Sequence, residues 1–105
     1  MDRKDRLARN EAIFREVNER IAEIAPSEED SLEILCECGN ASCDQRLRVT
    51  KSEYEQVRQR PTDFMVAHGH LIKAIETIVR ETDRFEVVRK RPEEAGIARA
   101  TDPRS

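Results

Sequence analysis

Three cysteines fall within eight residues, as Cys36-x-Cys38-x4-Cys43, and they are all the cysteines of the chain. Its only two histidines follow downstream as His68-Gly69-His70. Clustered thiolates with a distant imidazole suit a tetrahedral zinc site, where a tight turn supplies some ligands and another segment completes the set. The residues predict a metal held by Cys36, Cys38, Cys43 and one histidine, His70 or His68, with one structural Zn2+ per chain; iron accepts the same ligand types. Residues two apart on a flat strand sit roughly 7 Å apart, whereas sulfurs sharing one ion at about 2.3 Å lie roughly 3.8 Å from one another. The chain must therefore curl after Cys36, and Gly39, directly behind Cys38, permits it. Two other readings of the thiols stay open: plain burial without metal, and redox chemistry, with a Cys38–Cys43 disulfide the easy pairing. A SWIM-type finger also begins Cys-x-Cys, but its last Cys and His are nearly adjacent. Zinc anti-sigma factors carry a His-x3-Cys-x2-Cys core, which is absent here.

The elements that must position these ligands are short. "SLEILCEC" alternates, with Leu32, Ile34, Cys36 and Cys38 on one face, and reads as a strand running from core into thiols. Leu47 and Val49 mark a second strand. Thr50 with Glu53 forms a capping box, so 51–60 reads as a helix stopped by Pro61, with Tyr54 and Val57 buried. "DFMVAHGH" reads as a third strand that puts Phe64, Val66, His68 and His70 on one face, so parity does not choose between the histidines. Leu71, Ile72, Ile75, Ile78 and Val79 follow helical spacing and predict a helix over 71–82. "RFEVVRK" predicts a final strand.

Ahead of the site, 6–25 reads as one amphipathic helix. Leu7, Phe14 and Ile21 are spaced by sevens, as are Asn10, Val17 and Ile24, which gives about three heptads. The apolar members, Leu7, Phe14, Val17, Ile21 and Ile24, form the candidate interaction face. It is covered by the chain's own domain, by a second copy in a coiled coil with Arg6 pairing Glu11 of a parallel partner, or by another protein. Pro26 ends the helix. The expected organisation is a helix over 1–26, an acidic linker at 27–31, a small domain at 32–90 and a disordered tail at 91–105. The fold class is α+β, a helix followed by a β-β-α-β-α-β domain stabilised by zinc.

Composition agrees with a domain that needs help. Charged residues are 39% of the 105, hydrophobic residues 37%, and Trp is absent, so the apolar core is small and a metal, a partner or disordered ends must compensate. Net charge is −3: residues 1–30 carry six basic against nine acidic side chains, and the rest of the chain balances. No third of the chain is the basic surface that phosphate backbones favour. The N-terminus is charged from its second residue, with no apolar signal core, and no run approaches a membrane span. The expected address is the cytoplasm, where thiols stay reduced.

The sequence resembles small actinobacterial proteins with no established activity. The matching stretches are "NEAIFREVNERI" (10–21), "CECGNASC" (36–43), "VTKSEYEQVRQRPTDFMVAHGH" (49–70) and "RFEVVRK" (84–90), so the likeness runs to about residue 90. In those proteins the Gly-His dipeptide recurs. It corresponds to Gly69-His70 and implies His70, rather than His68, as the fourth ligand. They tend to carry Pro before that Gly, where this chain has His68.

For function, four protein ligands close a metal site and leave no position for substrate. That points away from an enzyme and toward a non-enzymatic module that binds another protein, or a second copy, through its N-terminal helix. A nucleic-acid-binding regulator is the alternative, with Arg46, Arg48, Lys51, Arg58, Arg60 and Lys73 as its basic face, although no aromatic pair offers base stacking. A zinc-thiol redox switch is a further one. The His-x-Glu and Pro-Cys-x-x-Cys pattern of nucleobase deaminases is missing.

Overall fold

Two short antiparallel sheets lie beneath a long N-terminal helix in the computed structural model, which describes residues 3–104. Helix α1 runs Arg3–Ile24 and stops just ahead of Pro26. Strands β1 (Ser31–Leu35) and β2 (Arg46–Thr50) pair in a hairpin that sets Leu32 opposite Val49 and Ile34 opposite Leu47, all four buried. Helix α2 (Lys51–Val57) opens on the expected capping box: Glu53 N donates to Thr50 Oγ1 at 3.0 Å and Thr50 N to Glu53 Oε1 at 2.8 Å. Tyr54 and Val57 face the core as expected. The chain is α+β.

The second sheet has the order β3-β5-β4, built from β3 (Asp63–Val66), β4 (Glu76–Glu81) and β5 (Glu86–Lys90). Here the structure departs from the sequence reading: residues 71–82 are not a helix. A turn whose Ile75 and Glu76 N–H groups both donate to Ile72 O leads into β4, which pairs with β5 and sets Ile78 opposite Val88. Thr77, Ile78 and Val79 are β-branched in a row, which suits a pleated strand better than a helix. The helical spacing misled because Ile78 and Val79 are exposed rather than core-facing. The domain therefore reads β-β-α-β-β-β.

The tail is the second correction. After a 3-10 turn at Pro92–Glu94, helix α3 (Gly96–Ala100) returns the chain to α1. Ala95, Ala98 and Asp102 are buried. Arg15 Nη2 donates to Ala98 O at 2.7 Å, Asp102 pairs with Arg58, and Arg104 reaches Glu19 at 2.6 Å and Glu55 at 2.8 Å. Polar anchors of this kind order a segment that hydrophobicity alone would leave loose.

The third correction concerns α1. The face packed on the domain is Glu11, Arg15, Asn18, Glu19 and Ala22. Of the apolar series, Leu7, Phe14 and Ile21 are half-buried on its flank, while Val17 and Ile24 are exposed, as is Ile13. The reason is what the domain offers: backbone carbonyls and buried counter-charges. Arg15 donates to Pro61 O at 2.5 Å and stacks over the Phe64 ring at 4.6 Å. Glu11 accepts from Lys90 at 2.6 Å, so it is not free to meet Arg6 of a parallel partner. Among the described residues no helix is long and apolar enough to cross a membrane.

Candidate metal centre

Strand β1 ends at Leu35, and the chain turns inward with one last ladder bond, Cys36 N to Gln45 O at 3.1 Å. The curl expected after Cys36 is present. Gly39 takes φ +80, a left-handed conformation that a side chain disfavours. The loop then tightens at Asn40, whose Oδ1 accepts from Ser42 N at 2.9 Å and whose carbonyl accepts from Cys43 N at 3.0 Å. That turn swings Cys43 back over Cys36 and Cys38.

The fourth side chain comes from a different sheet. β3 ends at Val66, and residues 67–70 form a turn closed by His70 N donating to Ala67 O at 3.0 Å, with Gly69 at φ +81 in its third position. Positive φ there is the type II signature. The turn breaks the alternation that put both histidines on one face. His70 Nδ1 lies 3.4 Å from Cys36 Sγ and 3.7 Å from Cys43 Sγ. His68 points elsewhere: its Nε2 lies 2.6 Å from Thr82 O in the β4–β5 turn. The structure thus brings together Cys36, Cys38, Cys43 and His70, whose ligand atoms all lie within 4.8 Å of one another, and leaves His68 out.

No protein-family model, curated protein or solved structure matches the chain. The chemistry of the centre is carried by its own residues.

The donor set fits a metal. Sulfurs around one ion need separations of roughly 3.8 Å, and the observed cluster, with every ligand atom within 4.8 Å of the others, is within about an ångström of that. All three cysteines are free thiols. Burial pushes Cys36 and Cys38 above the ordinary thiol range, the N–H groups of Ala67 and Asn40 pull the other way, and Cys43 adds to the rise at both. Ionising thiols crowded in this way requires a cation among them, which a bound metal would supply. Ala67 N donates to Cys36 Sγ at 3.2 Å, an amide–sulfur bond that favours the ionised form a metal requires.

Three positioning residues escaped the sequence reading. Asn10 Nδ2 donates to Gly39 O at 2.9 Å and pins the loop under α1. Glu37, between two ligands, turns the other way and is fully buried, accepting from Asn18 Nδ2 at 2.8 Å and Met65 N at 2.9 Å. Asn18 also exchanges two hydrogen bonds with the Leu35 backbone, at 2.9 and 2.8 Å. The available signal was polarity out of place: Asn10 on a heptad position and Glu37 in an alternating apolar strand. An open cleft of about 590 Å3 beside the centre is lined by Arg3, Arg6, Asn10, Cys38, Asn40 and His70, among others. Of the proposed basic face, Arg58 is not available at the surface, because its side chain is fully buried between Glu19 and Asp102.

Proposed function

We propose that this chain is a non-enzymatic zinc-binding module, in which a structural Zn2+ on Cys36, Cys38, Cys43 and His70 fixes the domain and the outward face of α1 binds a protein partner. The observation that carries the reading is the convergence of three thiols and one imidazole from two separate sheets within 4.8 Å. Three thiolates with one imidazole suit zinc by ligand type and number, and four protein ligands leave no coordination position for a substrate. Bound zinc supplies a cross-link between the β1 and β3 ends in a chain whose apolar core is small, and its binding free energy becomes folding free energy.

The test is metal content and melting of the full chain. Native mass spectrometry should find about one zinc per chain, and none in Cys43→Ala. His70→Ala should lose zinc at chelator concentrations that His68→Ala withstands. Chelation of the wild type should lower the melting temperature and cost on the order of several kcal/mol. A metal-free chain that folds and melts unchanged after verified chelation, or a His68→Ala variant weaker than His70→Ala, would sink the reading.

A further inference from the structure

Helix α1 is inverted: its inner face is largely polar, and its outer face carries exposed aliphatic side chains. Glu11, Arg15, Asn18 and Glu19 are buried, whereas Ile13 is 58%, Val17 40% and Ile24 82% exposed. At 3.6 residues per turn these three residues share the side directly opposite Glu11, Arg15 and Ala22. Half-buried Phe14 and Ile21 border them. The result is a line of exposed aliphatic side chains roughly 16 Å long, crossed between Val17 and Ile24 by Arg20, whose guanidinium is held along the helix by Glu16 and Glu23.

The charges along the helix are polarised. Residues 3–9 present four basic side chains, Arg3, Lys4, Arg6 and Arg9, against Asp5, all exposed. From residue 16 to 30, outside the buried Glu19, five acidic side chains stand against Arg20 alone. Arg9 and Glu28 are both exposed, and neither side chain has an ion-pair partner among the described residues. The turn that carries Glu28 is fixed, because Ser52 N donates to Glu28 O at 2.9 Å and Lys51 N to Asp30 O at 2.9 Å.

We propose that this face is the contact of an antiparallel, two-fold dimer of the chain. It rests on the reading of α1 as an interaction surface and is independent of the metal. Two features select the same register. Centring the two-fold on the apolar stripe, near residue 18, sets Ile13 of one protomer against Ile24 of the other. The same operation carries the basic first turns of each helix past Ile24 of its partner, toward the acidic turn at 27–30, where Glu28 is the acid in register with Arg9. A two-fold contact uses one patch twice and must be self-complementary, and this helix is complementary to itself only when reversed. Parallel pairing would stack basic end on basic end.

Sedimentation velocity of the metal-loaded full chain, as a concentration series at low and high salt, reads the dimer directly. Association that weakens with salt is expected, since exposed charges are screened within about 10 Å at 0.1 M. Ile13→Asp with Ile24→Asp should leave a monomer of unchanged metal content and melting temperature, because neither side chain packs inward. Arg9→Glu and Glu28→Arg should each weaken self-association about tenfold through two symmetry-related pairs. Mixing those two variants should restore a heterodimer of wild-type strength, since every contact is then again between opposite charges. A wild type that stays monomeric throughout, a mixture that does not recover, or a dimer lost instead on Val79→Asp in the exposed edge strand β4 would overturn the proposal. A dimer that persists in a chain found to hold no metal would overturn the zinc reading alone.

Discussion

Glu11→Gln should make the protein more stable relative to wild type as the pH rises. Lys90 Nζ donates to Glu11 Oε2 and to Glu76 Oε2, each at 2.6 Å, and the three side chains are 3%, 1% and 0% exposed in the order Lys90, Glu11, Glu76. One ammonium between two buried carboxylates leaves one negative charge over. Glu11 is the group that gives way: burial, opposed by Lys90 and reinforced by Glu76, pushes its carboxyl up to about 8. An acid whose folded value lies above its unfolded one binds more protons when folded, so stability is present below the unfolded value and falls as pH rises toward the folded value. The slope is about 1.36 kcal/mol per pH unit. Between about pH 6.5 and 9.5 the loss accumulates to roughly 2 kcal/mol and then levels off above the folded value. Gln keeps the oxygen that Lys90 uses and cannot ionise, so it removes this component alone. Urea unfolding of both proteins across that window, with metal present, gives the difference directly. It should shift by roughly 2 kcal/mol in favour of the variant. A difference that stays constant with pH would refute the protonated Glu11 and the charge count behind it.

Two more substitutions probe how the ends of the chain are held. Gly39→Ala meets both a left-handed backbone, φ +80, and a wall, because its Cβ would lie 2.8 Å from Leu7 O and 2.9 Å from Glu11 Cγ; equilibrium unfolding should show a loss of more than about 2 kcal/mol, with weaker zinc retention against chelator. Asp102→Ala removes one partner of the fully buried Arg58 guanidinium, whose Nη1 already lacks a hydrogen bond, and should cost about 3 kcal/mol by urea titration, with protease sensitivity appearing after residue 91; a loss below about 1 kcal/mol would mean that the tail is not anchored there.

What the sequence made legible were features whose causes are local. The capping box at Thr50 and Glu53, the alternation of Leu32 and Ile34, and the crowding of three cysteines each need only a few neighbouring residues to be read. The choice of His70 over His68 came from a resemblance, and its physical basis, the turn at Gly69, was hidden because alternation was extended past Val66. The helix expected over 71–82 is absent for a related reason: helical periodicity does not by itself imply burial, and Ile78 and Val79 lie on an exposed edge strand. The inverted face of α1 could not be read locally at all. Glu11 finds its partner at residue 90, Arg15 at 61 and 98, and Glu19 at 58 and 104. Such partners exist only once the fold has brought distant segments together.

The metal centre and the polar face of α1 bear on each other through Glu37. Its backbone N–H donates to Met65 O at 2.8 Å and its carboxylate receives Met65 N, so the cysteine segment is paired to the edge of β3. The same carboxylate receives Asn18 from α1. Cys36 and Cys38 flank it and point to the opposite side, where His70, carried past the end of β3, meets them. The two sheets therefore meet at one seam, hydrogen-bonded on the helix side and lined on the other by the four side chains that could hold a metal. Buried polar networks are at best weak sources of net stability compared with apolar packing, but they penalise any arrangement that leaves a member unpaired. A metal contributes the opposite combination, a large free energy with four points of attachment. In a chain with three Phe, one Tyr and no Trp, the network selects the seam and the metal would hold it. That division also explains why α1 can turn Ile13 and Ile24 outward: the helix is docked largely by hydrogen bonds and charge, so these side chains remain available for a second molecule.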